Sequence, residues 1–327
     1  MTQNAGWSGL VEMIDEVTYG VLPATPAMKY IGVVNGVNIN DKPIIESGRY
    51  LVEDDYTDTL GNTKTAAYFH QKTSSEITVD IDYHPKSIEE GFLLYALGNP
   101  ILSAGVETAG AVDGLGTSFS IGSKLLSTPK YLVYSGGYVN DFTFEVARDG
   151  LATCSASLQF ANSGANTGSP LYTNVDNPSS VDYATDHAST TAGDILTFSD
   201  ISSSTLTPNG GSAVSDIIES LTINITNNIR WIKNLGSGFT TKISSAALLG
   251  RDITLGLELS YDELSLYENI YAGKTFTYET TIDDYKFKFG GFVFPEYPVN
   301  MNPEELLGET IESTQAVSVT ITKPSEP

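Results

Sequence analysis

Basic residues are scarce in this sequence, as are cysteine and histidine. The 17 Lys and Arg face 40 Asp and Glu, which gives a formal net charge of −23 at pH 7. A negatively charged surface repels phosphate, which argues against a nucleic-acid-binding surface. The scarcity of basic residues also argues against a polybasic membrane anchor. The single cysteine excludes an internal disulfide framework and a Cys-based zinc cluster.

Long apolar runs and a secretory leader are also missing. No run approaches the roughly 18 apolar residues that cross a bilayer. The first residues show no basic segment followed by an apolar core, so no secretory signal is predicted. Hydrophobic residues nevertheless make up 40% of the chain and charged residues only 17%, which predicts a globular core rather than an acidic disordered tail.

Residue sets for catalysis are equally hard to find. The three histidines, His70, His84 and His187, share no local spacing. Cys154 alternates with alanines and is typical of a small core residue rather than a thiolate nucleophile. Glycine-flanked serine elbows, dinucleotide-binding turns and phosphate loops are absent from the sequence. We therefore predict no enzymatic activity and no cofactor.

Two acidic stretches invite a calcium interpretation. Neither matches the Asp-x-Asp-x-Asp-Gly register of a calcium loop, and acidic loops are usually just solvated, so no metal site is predicted. The residues concerned are Glu53, Asp54, Asp55 and Asp58 in the first stretch, and Asp176, Asp182 and Asp186 in the second.

Most periodic segments alternate apolar and polar residues with a period of two. The pattern is clearest at residues 77–82, 221–226, 253–259 and 317–321. Such alternation is typical of strands with one buried and one wet face. The 18 Tyr and 13 Phe also suit half-buried pleated surfaces. The sequence therefore predicts a mainly β protein.

Two short segments are predicted to be helical instead. Each opens with a Ser-x-x-Glu capping box, at Ser87 and at Ser260, in which the Ser oxygen and the Glu carboxylate satisfy backbone N–H groups. The segments end at Gly98 and Gly273, since glycine adopts the left-handed C-terminal conformation at least cost. The pattern predicts two helices of about three turns each.

The two halves of the sequence repeat one another. Residues 77–83 align with residues 253–259, and each segment is followed directly by its predicted helix. Further along each half, a glycine pair lies inside an aromatic strand, where glycine marks a bulge, a bend or the close approach of another backbone. These structural glycines are Gly136, Gly137, Gly290 and Gly291. Agreement of several elements in one order indicates a duplication.

The repeat suggests how the chain divides. We predict a first domain at residues 1–165, a Ser/Thr/Asn-rich connection at residues 166–215 and a second domain at residues 216–327. The connection is poor in large apolar residues, and one short strand is expected within it at residues 195–198.

Acidic residues occupy the polar face of several predicted strands. If those faces line a channel, the field inside is negative and a polyanion passing through does not adhere. An ordinary solvated sheet face is the alternative. The lumen-lining candidates are Asp80, Asp82, Glu145 and Glu258.

Several features of the sequence occur together in a known family. Residues 17–21 (Val-Thr-Tyr-Gly-Val) precede two prolines, and an alternating strand feeds a short helix ending at glycine in each half. Residues 134–142 contain Gly-Tyr-Val-Asn followed by Asp-Phe, and residues 221–228 form an alternating run before a long loop. In these features the chain resembles the tail tube (major tail) proteins of tailed bacteriophages and archaeal tailed viruses, in the version with two fused tube domains.

The resemblance implies a fold and a function. Each domain would be a β-sandwich with a flanking helix and long inter-strand loops, and inner strands of neighbouring subunits would form one β-barrel around a lumen for the genome. Since single-domain members form six-membered rings, a fused pair implies three chains with pseudo-six-fold symmetry.

The implied partners are further copies of the chain and the tail terminator, baseplate or tip, and tape-measure proteins. Viral DNA would pass without specific binding, and no membrane is involved. The protein is expected in the tail of the virion, after assembly in the host cytoplasm.

In this family, long loops reach to the next ring. The matching loops here are residues 46–75 and residues 229–251. Aromatic side chains on such loops are either buried under their own domain or held for a partner, and we favour the partner. The candidates for contact between rings are Tyr50, Tyr56, Tyr68, Phe69, Trp231 and Phe239.

Two other function classes compete with a structural, self-assembling virion protein. A secreted or surface β-rich binding module, such as an adhesin or a carbohydrate-binding protein, would also be acidic and aromatic. It normally shows a signal sequence, however, and does not require a duplicated domain. A hydrolase on a β scaffold needs a nucleophile and a base, which these residues do not supply.

Overall fold

The fold is known from a computed structural model of the chain. It describes residues 10–21, 29–50, 67–89, 91–98, 107–109, 114–125, 130–163, 195–215, 218–235, 241–260, 264–296 and 308–323.

The first half of the chain is built from strands and one short helix, α1 (Leu93–Ala96). Its strands are β1 (Leu10–Asp15), β2 (Lys29–Tyr30), β3 (Val33–Tyr50), β4 (Ala67–His84), β5 (Glu107–Ala109), β6 (Phe119–Leu125), β7 (Lys130–Ala147), β8 (Thr153–Phe160) and β9 (Asn162–Ser163).

The second half has the same kind of composition, with one longer helix, α2 (Leu264–Tyr271). Its strands are β10 (Ile201–Pro208), β11 (Val214–Ser215), β12 (Ile218–Leu235), β13 (Thr241–Ser260), β14 (Phe276–Ile282), β15 (Tyr285–Phe292), β16 (Gly308–Glu312) and β17 (Ser318–Thr322).

The described strands form two antiparallel sheets. One run of the larger sheet has the order β3-β4-β8-β7-β12-β13-β16, and we call it the central sheet. The other part of β7 pairs with β6, which leads on to β1 and β2. The smaller sheet has the order β11-β10-β14-β15-β17-β5. The predicted fold class, mainly β with two tandem sandwich-type domains, is confirmed in its strand content and its antiparallel sheets.

Alternation along the strands places one row of side chains in the core. In β8, Cys154, Ala156, Leu158 and Phe160 are buried while the residues between them face outward. Burying a large apolar side chain contributes about 1.5–3 kcal/mol, so a row of this kind largely determines which face of the strand turns inward. Cys154 is a core residue, as its spacing predicted.

The glycine pairs lie at a bulge in each half. The β6–β7 and β14–β15 pairings both shift register beside a glycine with positive φ, Gly136 at 69° and Gly291 at 78°. A Cβ on Gly136 would lie 2.7 Å from the Cβ of Ala161, and one on Gly291 would lie 2.9 Å from the Cβ of Val317. Ala161 and Val317 occupy the same place in the repeat, where the chain passes from the central sheet to its neighbour. The two halves therefore share this detail of backbone geometry.

The start and the three-turn length predicted for the first helix are wrong, since α1 has 4 residues. α1 begins after Phe92, without a side-chain cap, and residues 87–89 form a bend. The backbone N–H of Ile88 donates instead to the Asp283 carboxylate at 3.0 Å, and the Glu89 carboxylate accepts from Tyr285. Because the second half binds these groups, the segment cannot turn into a helix at Ser87. The predicted ends at Gly98 and Gly273 agree with the structure.

The described parts of the two segments predicted as long loops are strands, while residues 51–66 and 236–240 lie outside the described residues. Residues 46–50 extend β3 and residues 67–75 extend β4, so they form a long hairpin. Residues 229–235 and 241–251 do the same for β12 and β13. Register shifts interrupt both hairpins, which explains why a simple period-two pattern did not reveal them.

The predicted connection also contains regular structure. A strand was expected at residues 195–198, but β10 begins at Ile201, after a short 3₁₀ turn at Phe198–Asp200. Thr197 caps this turn together with Asp200, so the strand begins only after the turn. Both β10 and β11 belong to the smaller sheet.

Candidate functional site: the junction of the halves and the acidic sheet face

The two halves are joined by direct strand pairing. The C-terminal part of β7 pairs antiparallel with β12, from Ser220 opposite Ala147 to Thr226 opposite Asp141. Because β7 also pairs with β8, the central sheet continues without a break from the first half into the second. A strand edge of one half is therefore completed by the other.

A buried amide lies at the end of this junction. Asn227 follows the alternating apolar row of β12 and is 1% exposed. Its side-chain nitrogen donates to the carbonyl oxygens of Ala96 at 3.0 Å and Val139 at 2.9 Å, both in the first half. The Asn227 side chain thus joins β12 to α1 and β7.

A buried guanidinium completes the arrangement. Arg251 on β13 lies opposite Asn227 and donates from Nε to its Oδ1 at 2.6 Å. Nη1 donates to the carbonyl of Leu97 at 2.9 Å, and Nη2 to the carbonyl of Gly114 at 3.2 Å. Burial lowers the pKa of Arg251 to about 10, so the group remains a cation at neutral pH. The carbonyls at the C-terminal end of α1 carry partial negative charge and offset that charge.

Further contacts join the halves beside the smaller sheet. The Glu89 carboxylate accepts from Lys323 Nζ at 2.6 Å and from the Tyr285 hydroxyl. Strand β5, from the first half, pairs with β17 of the second half. The halves are therefore fixed to each other at two separate places.

The four acidic candidates occupy one face of the central sheet. Asp80 and Asp82 lie on β4 and accept from Ser157 at 2.8 Å and Ser155 at 2.5 Å. Glu145 on β7 is exposed, and Glu258 on β13 is half-buried. The register through β8, β7 and β12 connects these positions, so the residues share a face across both halves.

The cross-strand rows of this face contain acidic and neutral polar side chains. From β4 to β13, the rows through Asp80, Asp82 and Glu145 include no Lys or Arg. Their members are Asp80, Ser157, Asp141, Thr226 and Asp252; Asp82, Ser155, Thr143, Asn224 and Thr254; and Thr153, Glu145, Thr222 and Gly256. We call this surface the acidic face.

A second buried charge lies where the first half begins. The Glu16 carboxylate, on the residue after β1, is 5% exposed and accepts four hydrogen bonds. The donors are Gly20 N at 2.7 Å, Ser118 Oγ at 2.6 Å, Ser120 Oγ at 2.5 Å and Gly136 N at 2.7 Å. The Glu16 carboxylate thus links the segment from Glu16 to Gly20 to β6 and to the bulge of β7. Local patterns in the sequence did not predict this buried carboxylate.

The aromatic candidates for contact between rings fall in different places. Trp231 lies on β12, with its ring 6.1 Å from that of Tyr138 in the first half. Tyr50 ends β3, and Tyr68 and Phe69 belong to β4. Tyr56 and Phe239 lie outside the described residues.

A family model for phage tail tube proteins matches residues 6–322, nearly the whole chain. The chain belongs to the phage tail tube protein family. A search of curated proteins finds no match.

Membership in the tail tube family settles the general role. The protein is a structural component of the phage tail, and the prediction that it is not an enzyme is confirmed by the family. The match favours this role over the secreted binding module and the hydrolase. Members of a tube-forming family associate with copies of themselves and with other tail components.

Two of the three histidines belong to β4. His84 is the last residue of β4, and its Nδ1 lies at hydrogen-bond distance, 2.8 Å, from the carbonyl oxygen of Ala152. His70 lies within β4. The described stretches contain no group of His, Cys, Asp or Glu that could hold a metal ion. Both acidic loops considered for calcium, and His187, lie outside those stretches. Within the described part of the chain, the helices are too short or too polar to cross a membrane.

Proposed function

We propose that three copies of the chain close into a pseudo-six-fold ring, and that stacked rings form the tail tube through which viral DNA is delivered. The junction within the chain supports this most directly. There, the edge of β7 is completed by β12 of the other half. In the described part of the chain, β3 pairs only with β4 at one end of the central sheet, and β16 only with β13 at the other. Edges of this kind favour pairing with another copy.

The duplication supports three chains rather than six. The β12–β13 hairpin followed by α2 repeats the β3–β4 hairpin followed by α1. If each half occupies one position of a six-fold ring, three chains fill it. The division into tube domains at 1–165 and 216–327, with 166–215 between them, stays a prediction.

We further propose that the acidic face lines the lumen. Its rows combine carboxylates with neutral polar side chains, so DNA phosphates would be repelled and would find no basic partner. Tyr50, Tyr56, Tyr68, Phe69 and Phe239 remain candidates for contact between rings. For Trp231, the ring contact with Tyr138 favours packing within one chain over contact between rings. The tail terminator, baseplate or tip and tape-measure proteins remain the proposed partners, and the host cytoplasm the proposed place of assembly.

Ring stoichiometry tests this proposal directly. Native mass spectrometry of concentrated protein should show a closed species of three 35.0-kDa chains, about 105 kDa. Negative-stain images should show rings with a central hole, and tubes at higher concentration. The proposal is wrong if the concentrated protein remains monomeric, or if the closed ring contains six chains.

Salt should promote assembly, because each chain brings a formal charge of −23 to the ring. Raising the salt concentration from about 0.01 M to about 1 M shortens the Debye length from about 30 Å to about 3 Å, so repulsion between copies weakens. Light scattering should therefore rise with salt, and more steeply with a divalent cation. A triple variant, Asp80→Asn, Asp82→Asn and Glu145→Gln, should assemble at lower salt than the wild type. Tubes that form best at the lowest ionic strength would contradict this electrostatic account.

A further inference from the structure

The end of helix α1 is covered by the second half of the chain. Ala96 and Leu97, the two residues before its terminal glycine, are 0% and 1% exposed. Their carbonyls accept from Asn227 and Arg251 on the β12–β13 hairpin. A Cβ added to Gly98 would lie only 2.9 Å from the Arg251 guanidinium.

The corresponding end of helix α2 is uncovered. The Gly98 N–H donates to the carbonyl three residues earlier, and the Gly273 N–H does the same. Tyr271 therefore corresponds to Ala96, yet it is 83% exposed. Ala272 is exposed where Leu97 is buried, and a Cβ added to Gly273 would meet no atom within 4 Å.

We propose that this uncovered end of α2, formed by Tyr271, Ala272 and Gly273, docks the β3–β4 hairpin of a second copy of the chain. The reason is the repeat itself: the β12–β13 hairpin covers α1, and β3–β4 is its counterpart. In the described part of the chain, the β14–β15 hairpin that follows α2 belongs to the smaller sheet, and there is no third hairpin of the β3–β4 kind to cover α2. This inference rests on the proposed ring and names the surface that closes it.

The docked contact differs from the one within the chain. The alignment of residues 77–83 with 253–259 places Ser75 at the position of Arg251, and Ser75 pairs with Pro43 where Arg251 pairs with Asn227. Serine and proline cannot supply the guanidinium donors that bind the α1 carbonyls. The contact between copies therefore relies on apolar area, with Tyr271 stacked against Tyr267 at 6.1 Å between ring centroids. Rings should come apart into whole chains before the halves of a chain separate.

Two substitutions at Tyr271 test the docking surface. Tyr271→Asp should weaken ring formation at least about tenfold in sedimentation velocity, since a central aromatic anchor is lost and a charge is introduced. Tyr271→Phe should assemble like the wild type. Val17→Asp, which adds the same charge at a residue that is 94% exposed, is the matched control. All three variants should keep the wild-type circular dichroism spectrum, because the replaced side chains face solvent.

The outcomes separate this inference from the proposed function. If Tyr271→Asp forms rings as readily as the wild type, the docking surface is wrong and the ring proposal stands. If rings of the variant persist but no longer stack, α2 binds the adjacent ring, and the inference is again overturned. If the wild type itself forms no ring, both proposals fail.

Crosslinking identifies the occupant. A chain with Ala272→Cys is mixed with a separately tagged chain carrying Ser75→Cys, and a short bismaleimide is added. The native Cys154 is buried at 3% exposure, so the wild type serves as the blank. Crosslinks between the two differently tagged chains are expected. Crosslinks only between two Ala272→Cys chains would indicate a two-fold contact and overturn the assignment.

Discussion

Replacing Arg251 with methionine is expected to lower the free energy of unfolding by about 2–6 kcal/mol, because two buried acceptors lose their donors. Methionine retains much of the length and apolar volume but provides no donor. The Asn227 amide oxygen and the Leu97 carbonyl would then remain buried without the donors that they have now. Stranding a buried acceptor costs about 1–3 kcal/mol. Since the two acceptors lie in different halves, the substitution also loosens the junction.

Urea denaturation of the dilute monomer at low salt measures this effect. Arg148→Met is the matched control, because Arg148 is 65% exposed and its ion pair with Glu219 lies at the surface. That control should change stability by less than about 1 kcal/mol. Arg251→Lys should fall between the two, since it keeps the charge but not the planar set of donors. An Arg251→Met variant as stable as the control would show that the Arg251–Asn227 pair does not hold the halves together.

Local sequence patterns predicted the parts of the fold that depend on local physics. Alternation at 77–83 and 253–259 identified two central strands, because a period of two places one row of side chains in the core. Gly98 and Gly273 marked the helix ends, since a left-handed residue there requires no distant partner.

Features that depend on contacts far apart in sequence were missed. The bend at residues 87–89 exists because Asp283 and Tyr285 bind it from the other half. The pairing of β5 with β17 joins segments that no local period connects. Long-range pairing of this kind is decided by tertiary packing rather than by propensity.

The sequence carries a signal of the buried Arg251–Asn227 pair. Asn227 continues the buried row of Leu221, Ile223 and Ile225, and Arg251 precedes the buried row that begins at Ile253. A polar residue in phase with a buried row must find partners inside the protein. That phase predicts a buried polar contact, although not with which residues.

Replacing Glu16 with alanine is expected to destabilise the first half by at least about 2 kcal/mol. The substitution removes the common acceptor of four buried donors, and each stranded donor costs about 1–3 kcal/mol. Two of them, Ser118 and Ser120, are hydroxyls that can rotate toward another acceptor. The backbone N–H groups of Gly20 and Gly136 cannot, because their directions are fixed by the chain.

Glu16→Gln tests that distinction. Each carboxylate oxygen accepts from one hydroxyl and one backbone N–H, so an amide nitrogen at either position faces one donor that can rotate and one that cannot. The Gln variant should therefore lose about 1–3 kcal/mol, as expected for one stranded N–H. Amide hydrogen exchange should accelerate at Gly20 or at Gly136, but not equally at both. Glu145→Gln, at an exposed carboxylate, should leave stability and exchange unchanged. If Glu16→Ala and Glu145→Gln unfold at the same urea concentration, the Glu16 carboxylate does not stabilise the contact of the segment from Glu16 to Gly20 with β6 and β7.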